Sequence, residues 1–218
     1  SNAVTTSFSD VKDNSLYYYN AVSWGISEGI TKGYSDNTFR PDAECQRREL
    51  MIMLWRASDC PEVQGNMPFA DVSAKYGKNT ATYKAILWGY STGITKGYPD
   101  GSFHPDDPVV GKDTLIMLYR LAGKPDAPWV QNSAAEFARS YPRTSDTFHS
   151  VMWAFSEGIV KEENGETFDP LGNSLRKQII SYIFRYASPD AGGDPSSEDY
   201  DIFGRPIDVA PVWSTYEN

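Results

Sequence analysis

The sequence has no long hydrophobic run and no excess of positive charge. No stretch of 18 or more apolar residues occurs among the 218 residues, so the sequence predicts no membrane insertion. The formal net charge of −9 argues against a nucleic-acid partner, because nucleic acid requires a broad basic surface. A signal peptide is also absent, but the opening SNA at residues 1–3 is typical of a cleaved tag, so this absence says nothing about secretion. The content of 40% hydrophobic and 14% aromatic residues is typical of a globular protein with a core.

The two cysteines and two histidines offer no metal site. Cys45 and Cys60 are fifteen residues apart, which is about 20 Å if the segment between them is mostly helical, and too far for a disulfide. We therefore expect two free thiols. His104 and His149 stand alone and no C-x-x-C pair is present, so the sequence predicts neither a zinc site nor another cofactor.

One thirteen-residue segment occurs three times. GITKGYSDNTFRP at residues 29–41 returns as GITKGYPDGSFHP at 93–105 and, more divergently, as GIVKEENGETFDP at 158–170. A Trp-bearing segment precedes each copy and a mostly apolar one follows it, as in AVSWGISEGI at 21–30 and LMIMLWRA at 50–57. The period of about 64 residues fits a unit of two helices joined by a loop.

The hydrophobic pattern places two kinds of helix in each unit. The first, at about residues 16–28 in the first unit, has one apolar stripe and should stop at Gly29, with Trp24 facing away from the stripe. The second is apolar around most of its circumference at 50–55, so it should lie in the middle of the molecule. The sequence therefore predicts a mostly α fold, with three helix-loop-helix units in a pseudo-threefold arrangement around a central three-helix bundle.

The boundaries follow from the repeats and from composition. A polar, acidic segment rich in Gly, Pro and Ser begins at residue 191, which is typical of a linker, and the apolar residues near its end leave open whether it docks on the core. We define the parts of the chain as unit 1 (8–62), unit 2 (69–126), unit 3 (137–190) and an acidic linker or tail (191–218).

Each unit opens with a phenylalanine followed by a short polar stretch. The openings read FSDV, FADV and FARS. Asp10 and Asp71 are well placed to cap a turn or short helix by accepting backbone N–H bonds. Arg139 takes this place in unit 3, so that cap is lost or replaced.

Taken together, these motifs resemble the S-layer homology (SLH) family over about residues 8–189. They are the Phe-x-Asp-Val opening, the Trp-bearing helix ending in Gly-Ile, the Gly-Tyr-x-Asp loop closing on Phe-x-Pro, and a Thr-Arg-x-Glu type motif before the apolar helix. The resemblance implies a non-catalytic module that holds exported proteins on the bacterial cell wall or surface layer. Its implied partner is secondary cell wall polysaccharide, often with pyruvylated sugars, bound in grooves between neighbouring lobes.

In this family the arginine of Thr-Arg-x-Glu is a principal ligand contact. Arg47 and Arg176 match it by position, whereas Gly111 replaces it in unit 2 and Lys112 lies one residue further, about 100° around the helix. The initial Thr is missing from all three units. Arginine recognises a sugar carboxylate through paired donors, and a helix start adds partial positive charge and free N–H groups at the same place.

The resemblance and the loops together give a set of candidate glycan-binding residues. For the two matching arginines the alternative is a salt bridge to a nearby carboxylate such as Glu49. For the tryptophans it is packing in the core or between lobes, and for the Tyr and Asp residues it is loop shape alone. The candidates are Arg47, Arg48, Arg176, Lys177, Lys112, Trp24, Trp88, Trp153, Tyr34, Asp36, Tyr98 and Asp100.

The sequence also bears on two classes of function other than wall binding. The departures from the Thr-Arg-x-Glu motif keep open a structural module with decayed glycan binding, used for surface-layer assembly, self-association or protein contacts. Nothing in the repeats singles out the acid and base pair of a glycosidase, a nucleophile motif or a phosphate loop, so the sequence argues against an enzyme. The Asp-rich loops lack the full EF-hand ligand series, which argues against calcium.

Overall fold

The computed structural model describes residues 6–188, and this part of the chain is mostly helical. The predicted mostly α class is thereby confirmed, and the pseudo-threefold arrangement of three units stays a prediction. The tail at 191–218 and its expected docking lie outside the described residues. The helices of the described part are α1 Tyr19–Ser27, α2 Arg47–Ala57, α3 Ala70–Ser73, α4 Ala81–Ser91, α5 Gly111–Leu121, α6 Ser133–Ala138, α7 Asp146–Ser156 and α8 Arg176–Ala187.

Each unit contributes one early long helix (α1, α4, α7) and one late helix (α2, α5, α8). The early helices end at glycines in the left-handed region: φ is 70° at Gly29, 78° at Gly93 and 65° at Gly158. Glycine adopts this conformation without a steric penalty, so the predicted stop at Gly29 is confirmed. Among the apolar residues 50–55 of α2 all are buried except the half-buried Ile52, which confirms that this helix is enclosed on most sides.

Helix packing crosses from one unit to the next. The largest helix contacts in the described chain join α2 to α4, α5 to α7 and α8 to α1. Each late helix therefore packs on the early helix of the following unit, and the third unit returns to the first. A contact also joins α2 to α8, but it is smaller than these, and the expected central bundle stays a prediction.

A closed ring of three backbone hydrogen bonds links the three units just before their late helices. Cys45 N donates to the carbonyl of Ser174 (2.9 Å), Ser174 N donates to the carbonyl of Val109 (2.8 Å), and Val109 N donates to the carbonyl of Cys45 (2.9 Å). We call these residues the axial ring. Cys45 is a buried free thiol there, while Cys60 is an exposed one, as predicted.

The loop of one unit caps the late helix of another. Arg176 N and Lys177 N at the start of α8 donate to the carbonyls of Ala43 (2.9 Å) and Pro41 (3.0 Å) in unit 1. The first two N–H groups of α2 and α5 are satisfied in the same way, by carbonyls of unit 2 and unit 3. The helix starts therefore do not offer the free N–H groups that we expected for an anion, because neighbouring loops already occupy them.

The aspartates of the unit openings anchor the repeated loops. The carboxylate of Asp10 accepts hydrogen bonds from Phe39 N (2.9 Å) and Arg40 N (2.8 Å). Asp71 makes the same pair of contacts in unit 2, with Phe103 N and His104 N. These aspartates accept backbone N–H bonds as expected, but from a loop about thirty residues further on rather than from their own turn.

Candidate functional site

Arg176 lies at the first position of α8 and reaches into unit 1. Its Nε donates to the carbonyl of Phe39 (2.8 Å), and its Nη1 lies 3.0 Å from Oε1 of Glu49. Its guanidinium carbon is 4.8 Å from the ring centres of both Tyr34 and Phe39. The side chain is only 4% exposed. We call Arg176, Tyr34, Phe39 and Glu49 the Arg176 groove.

Arg47 repeats this arrangement at the first position of α2. Its Nε donates to the carbonyl of Phe103 (2.9 Å), and its Nη1 lies 3.3 Å from Oδ2 of Asp113. Its guanidinium carbon is 4.7 Å from the ring centre of Tyr98 and 4.8 Å from that of Phe103. These four residues form the Arg47 groove, which joins unit 1 to unit 2 as the Arg176 groove joins unit 3 to unit 1.

The salt bridges that we weighed as the alternative role of the two arginines are present. Each guanidinium uses Nε and Nη1 within the groove, but no hydrogen bond from Nη2 is found among the described residues. Within residues 6–188, Nη2 of each arginine therefore has no hydrogen-bond partner.

The tyrosines of the two grooves differ in how much of the ring is exposed to solvent. Tyr34 is half-buried, and its hydroxyl donates to Oε1 of Glu49 (3.1 Å). Burial raises the pKa of Tyr34, and the charge of Arg176 only partly offsets this effect, so the phenol stays protonated as a donor. Tyr98 is 38% exposed, and its ring meets that of His104 edge-on at 4.8 Å. The Arg47 groove therefore presents more aromatic surface to solvent.

The corresponding position in unit 2 is closed. A Cβ atom on Gly111 would lie 2.2 Å from the carbonyl oxygen of Asp169 and 3.1 Å from the ring of Phe168. The carboxylate position is also changed, because Gln178 stands where the grooves have Glu49 and Asp113, and its Nε2 donates to the carbonyl of Thr167 (2.6 Å). Backbone of unit 3 thus fills the space in which an arginine side chain would begin.

The remaining basic candidates are paired with carboxylates beside the helix starts. Arg48 Nε lies 3.1 Å from Asp106, Lys177 Nζ lies 2.5 Å from Asp42, and Lys112 Nζ lies 2.8 Å from its neighbour Asp113. Their side chains are 22 to 31% exposed. Lys112 does not take the place of the missing arginine, since its ammonium reaches the Asp113 carboxylate at the margin of the Arg47 groove.

The loop aspartates shape the loops. Oδ1 of Asp36 accepts from the backbone N (3.1 Å) and hydroxyl (2.5 Å) of Thr38. Asp100 holds Ser102 in the same way, at 3.0 and 2.5 Å. The hydrogen bond from Thr38 holds the pKa of Asp36 below its ordinary value, and that from Ser102 does so for Asp100. Both carboxylates are therefore engaged within their own turns, as the loop-shape alternative predicts.

The tryptophans do not fit the role of sugar platforms. Trp24, Trp88 and Trp153 are 3%, 4% and 3% exposed, because each early helix is enclosed by the late helix of the preceding unit in the cyclic order. Trp24 meets Phe184 of α8 at 5.4 Å between ring centres. Trp24, which was expected to face away from the apolar stripe of its own helix, therefore faces α8, and a sugar cannot reach any of the three indole faces.

Comparison with models of known protein families identifies two matching segments of the chain. The model of the S-layer homology domain matches residues 7–51 and 68–109. These two segments are S-layer homology domains. The matches contain both the Phe-x-Asp-Val openings and the Tyr-bearing loops of the two grooves. Unit 3 lies outside the matched residues, and its assignment as a third repeat stays a prediction.

Relatives of the chain include cell surface proteins and polysaccharide-degrading enzymes. The chain is 25% identical over 74% of its length to cell surface glycoprotein 1 of Acetivibrio thermocellus and 25% identical over 83% to a cell surface protein of Thermoanaerobacter kivui. It is 29% identical over 84% to an endoglucanase of Bacillus sp. (strain KSM-635). It spans only 7%, 23% and 19% of these proteins, respectively. Within residues 6–188 no helix is long and apolar enough to cross a membrane.

Sequence reasoning missed how the three units share their site residues. It named Glu49 as a partner for a groove arginine, and Glu49 pairs with Arg176 of another unit, while Arg47 pairs with Asp113. It also missed the carbonyls of Phe39 and Phe103, which hold the Nε atoms. The recurrence of these phenylalanines was the available signal, but the cyclic order of units that gives it meaning is a property of the folded chain.

Proposed function

We propose that this chain is a non-catalytic anchoring module of the bacterial cell surface, which binds an anionic, carboxylate-bearing secondary cell wall polysaccharide in the Arg176 and Arg47 grooves. S-layer homology domains anchor surface proteins to the cell wall, and two relatives are named as cell surface proteins. The observation that carries the finer proposal is the repeated groove. In two places an arginine of one unit lies against the tyrosine ring of another, with the same backbone and carboxylate partners.

The grooves suit a carboxylated sugar because their donors are fixed before the ligand arrives. The carbonyls of Phe39 and Phe103 and the carboxylates of Glu49 and Asp113 hold the guanidinium groups, so little side-chain entropy is lost on binding. The Nη2 edge of each arginine then donates to the ligand carboxylate. An adjacent tyrosine ring offers an apolar face for the sugar, and more of that face is exposed at Tyr98.

Charge sets a limit on how the polymer is recognised. The chain carries a formal net charge of −9, and each groove arginine is already paired with a carboxylate, so long-range attraction to an anionic polymer is absent. Recognition must come from short-range hydrogen bonds and ring contacts. Two grooves that engage one polymer chain raise the overall affinity through effective concentration, which offsets weak binding at each groove.

Calorimetry with pyruvylated wall polysaccharide tests this proposal. We expect Arg47→Lys and Arg176→Lys each to weaken binding by about tenfold, because lysine cannot supply the planar pair of donors. The exposed Lys12→Gln serves as control, and the same polymer freed of its pyruvate ketals should bind weakly to every variant. If both arginine variants bound with unchanged affinity while circular dichroism showed an intact fold, the grooves would not be the binding sites.

The ion pairs also favour a second candidate function, a structural module for surface-layer assembly whose glycan binding has decayed. Arg47 and Arg176 are satisfied by Asp113 and Glu49 without any ligand, and Gly111 has no arginine at all. Sedimentation separates the two functions. A chain that does not sediment with purified wall, yet self-associates with increasing concentration in analytical ultracentrifugation, would be an assembly module.

A further inference from the structure

An exposed tryptophan lies between the second and third units, outside both grooves. Trp129 is 47% exposed, whereas the other tryptophans of the described chain are at most 8% exposed. The guanidinium carbon of Arg139 lies 4.9 Å from its ring centre, and that of Arg143 lies 5.2 Å away. The ring of Phe148, at 5.7 Å, packs against the indole from the core. We call Trp129, Arg139 and Arg143 the Trp129 patch.

The two arginines of this patch differ from the other arginines of residues 6–188. Neither takes part in an ion pair or a side-chain hydrogen bond within the described chain, and both are exposed. Each of the others donates to a carboxylate or a backbone carbonyl. Those others are Arg40, Arg47, Arg48, Arg56, Arg120, Arg176 and Arg185.

The position of Arg139 shows that this charge is a departure from the pattern of the units. Units 1 and 2 have Asp10 and Asp71 there, which accept from their loops. In unit 3 the arginine turns to Trp129 instead. Among residues 6–188, two guanidinium groups thus lack carboxylate partners and lie beside the most exposed indole, although the sequence has 29 acidic residues.

We propose that the Trp129 patch is a separate binding site for a carboxylate-bearing sugar. The guanidinium groups donate to the sugar carboxylate, and the indole covers part of the apolar face of the sugar ring. Cation–π contact with the indole orders both arginines, which lowers the entropy lost on binding. The choice of a sugar acid rests on the proposed wall-binding function, whereas the site itself rests on residues that the grooves do not contain.

A fluorescence titration with trigalacturonate, a small carboxylated oligosaccharide, tests the patch. We expect the ligand to shift the emission of Trp129 and protect it from acrylamide, and we expect Trp129→Phe to abolish this signal. The double variant Arg139→Gln/Arg143→Gln should bind at least about tenfold more weakly by calorimetry. Lys12→Gln/Lys78→Gln, which removes the same charge from exposed positions, should bind like the native chain. In Arg47→Lys/Arg176→Lys, trigalacturonate should still protect Trp129 from acrylamide, because this signal reports on the patch alone.

Each comparison decides a different point. Equal binding of maltotriose would overturn the role of the carboxylate, and equal binding of hexaglutamate would overturn the sugar. An equal loss of affinity in the lysine control would show that net charge alone explains the effect. A loss of affinity in the groove variants alone would show that trigalacturonate binds in the grooves. If the groove variants leave wall binding unchanged but trigalacturonate still protects Trp129, the proposed grooves fail while the patch stands.

Discussion

Nη1 of Arg176 lies 3.0 Å from Oε1 of Glu49, although 127 residues separate the two along the chain. The same oxygen accepts from the hydroxyl of Tyr34 (3.1 Å), and Oε2 accepts from the backbone N of Gln46 (2.9 Å). One carboxylate thus holds the groove arginine, the groove tyrosine and the first turn of α2. The Arg176 groove and the cap at the start of α2 therefore depend on the same side chain.

Glu49→Gln should destabilise the fold. Glutamine keeps one acceptor oxygen, which can serve Gln46 N or the Tyr34 hydroxyl but not both. It also leaves the largely buried Arg176 without its counter-charge, and the loss costs about 3 kcal/mol in the free energy of unfolding. Urea denaturation measures this difference. Glu157→Gln, at an exposed position, is the control, and equal stability of the two variants would contradict the role of the ion pair.

Gly111→Ala should also be destabilising, and Gly111→Arg should not create a third groove. The added Cβ would meet the carbonyl oxygen of Asp169 at 2.2 Å, so backbone must shift, at a cost of about 1 to 3 kcal/mol. Thermal unfolding compares Gly111→Ala with Gly77→Ala, where a Cβ meets nothing within 4 Å. If Gly111→Arg gave native stability together with extra ligand stoichiometry, the third position would be open after all.

Asp10→Ala and Asp71→Ala should loosen different grooves. Asp10 fixes the backbone at Phe39, whose carbonyl accepts from Arg176, and Asp71 does the same for Phe103. Each substitution removes hydrogen bonds worth about 1 kcal/mol apiece. Amide hydrogen exchange should accelerate at 36–41 in the first variant and at 100–105 in the second. Equal acceleration of both loops in either variant would show that the anchors are not local.

The stability of the chain should decrease in acid partly through Asp146. Burial raises the pKa of this carboxyl, but hydrogen bonds from Arg120 (2.6 Å) and Lys124 outweigh burial, so the pKa lies below its ordinary value of 3.8. A depressed folded pKa means that the carboxylate stabilises the fold above the unfolded pKa, and that this stability is lost as pH falls through the folded pKa.

The variant Asp146→Asn isolates this contribution. The difference in unfolding free energy between native chain and variant should be constant above about pH 5 and should shrink as pH falls below about 4. Urea denaturation at several pH values measures it, with the exposed Asp126→Asn as control. A difference that does not change with pH would show that the ion pair with Arg120 does not control the acid sensitivity.

Most of the helix prediction followed from local patterns in the sequence. The glycine stop at Gly29 and the enclosed α2 follow from residues that are neighbours along the chain, and both are found. The offset of Trp24 from the apolar stripe correctly indicated a second contact, which is Phe184. The sugar-platform role failed because a helix face turned away from its own unit is covered by another.

The partners of the groove arginines needed the folded chain. Glu49 follows Arg47 by two residues and so points to another side of α2, where Arg176 reaches it. The patch at Trp129 was equally hidden, because Arg139 was recognised only as a lost cap. In both cases the contacting residue belongs to a distant segment of the chain, and sequence spacing alone does not show that the two segments meet in the fold.

The loop carbonyls that cap the late helices set the earliest point in synthesis at which each helix start can be completed. During synthesis α2 obtains its carbonyl caps once residue 107 has emerged, and α5 obtains its caps once residue 172 has emerged. The start of α8 needs Pro41 and Ala43, which are made long before it. Folding therefore ends with the contacts of greatest sequence separation, the kind that slows folding. The Arg47 groove can form while the chain is still growing, and the Arg176 groove forms last.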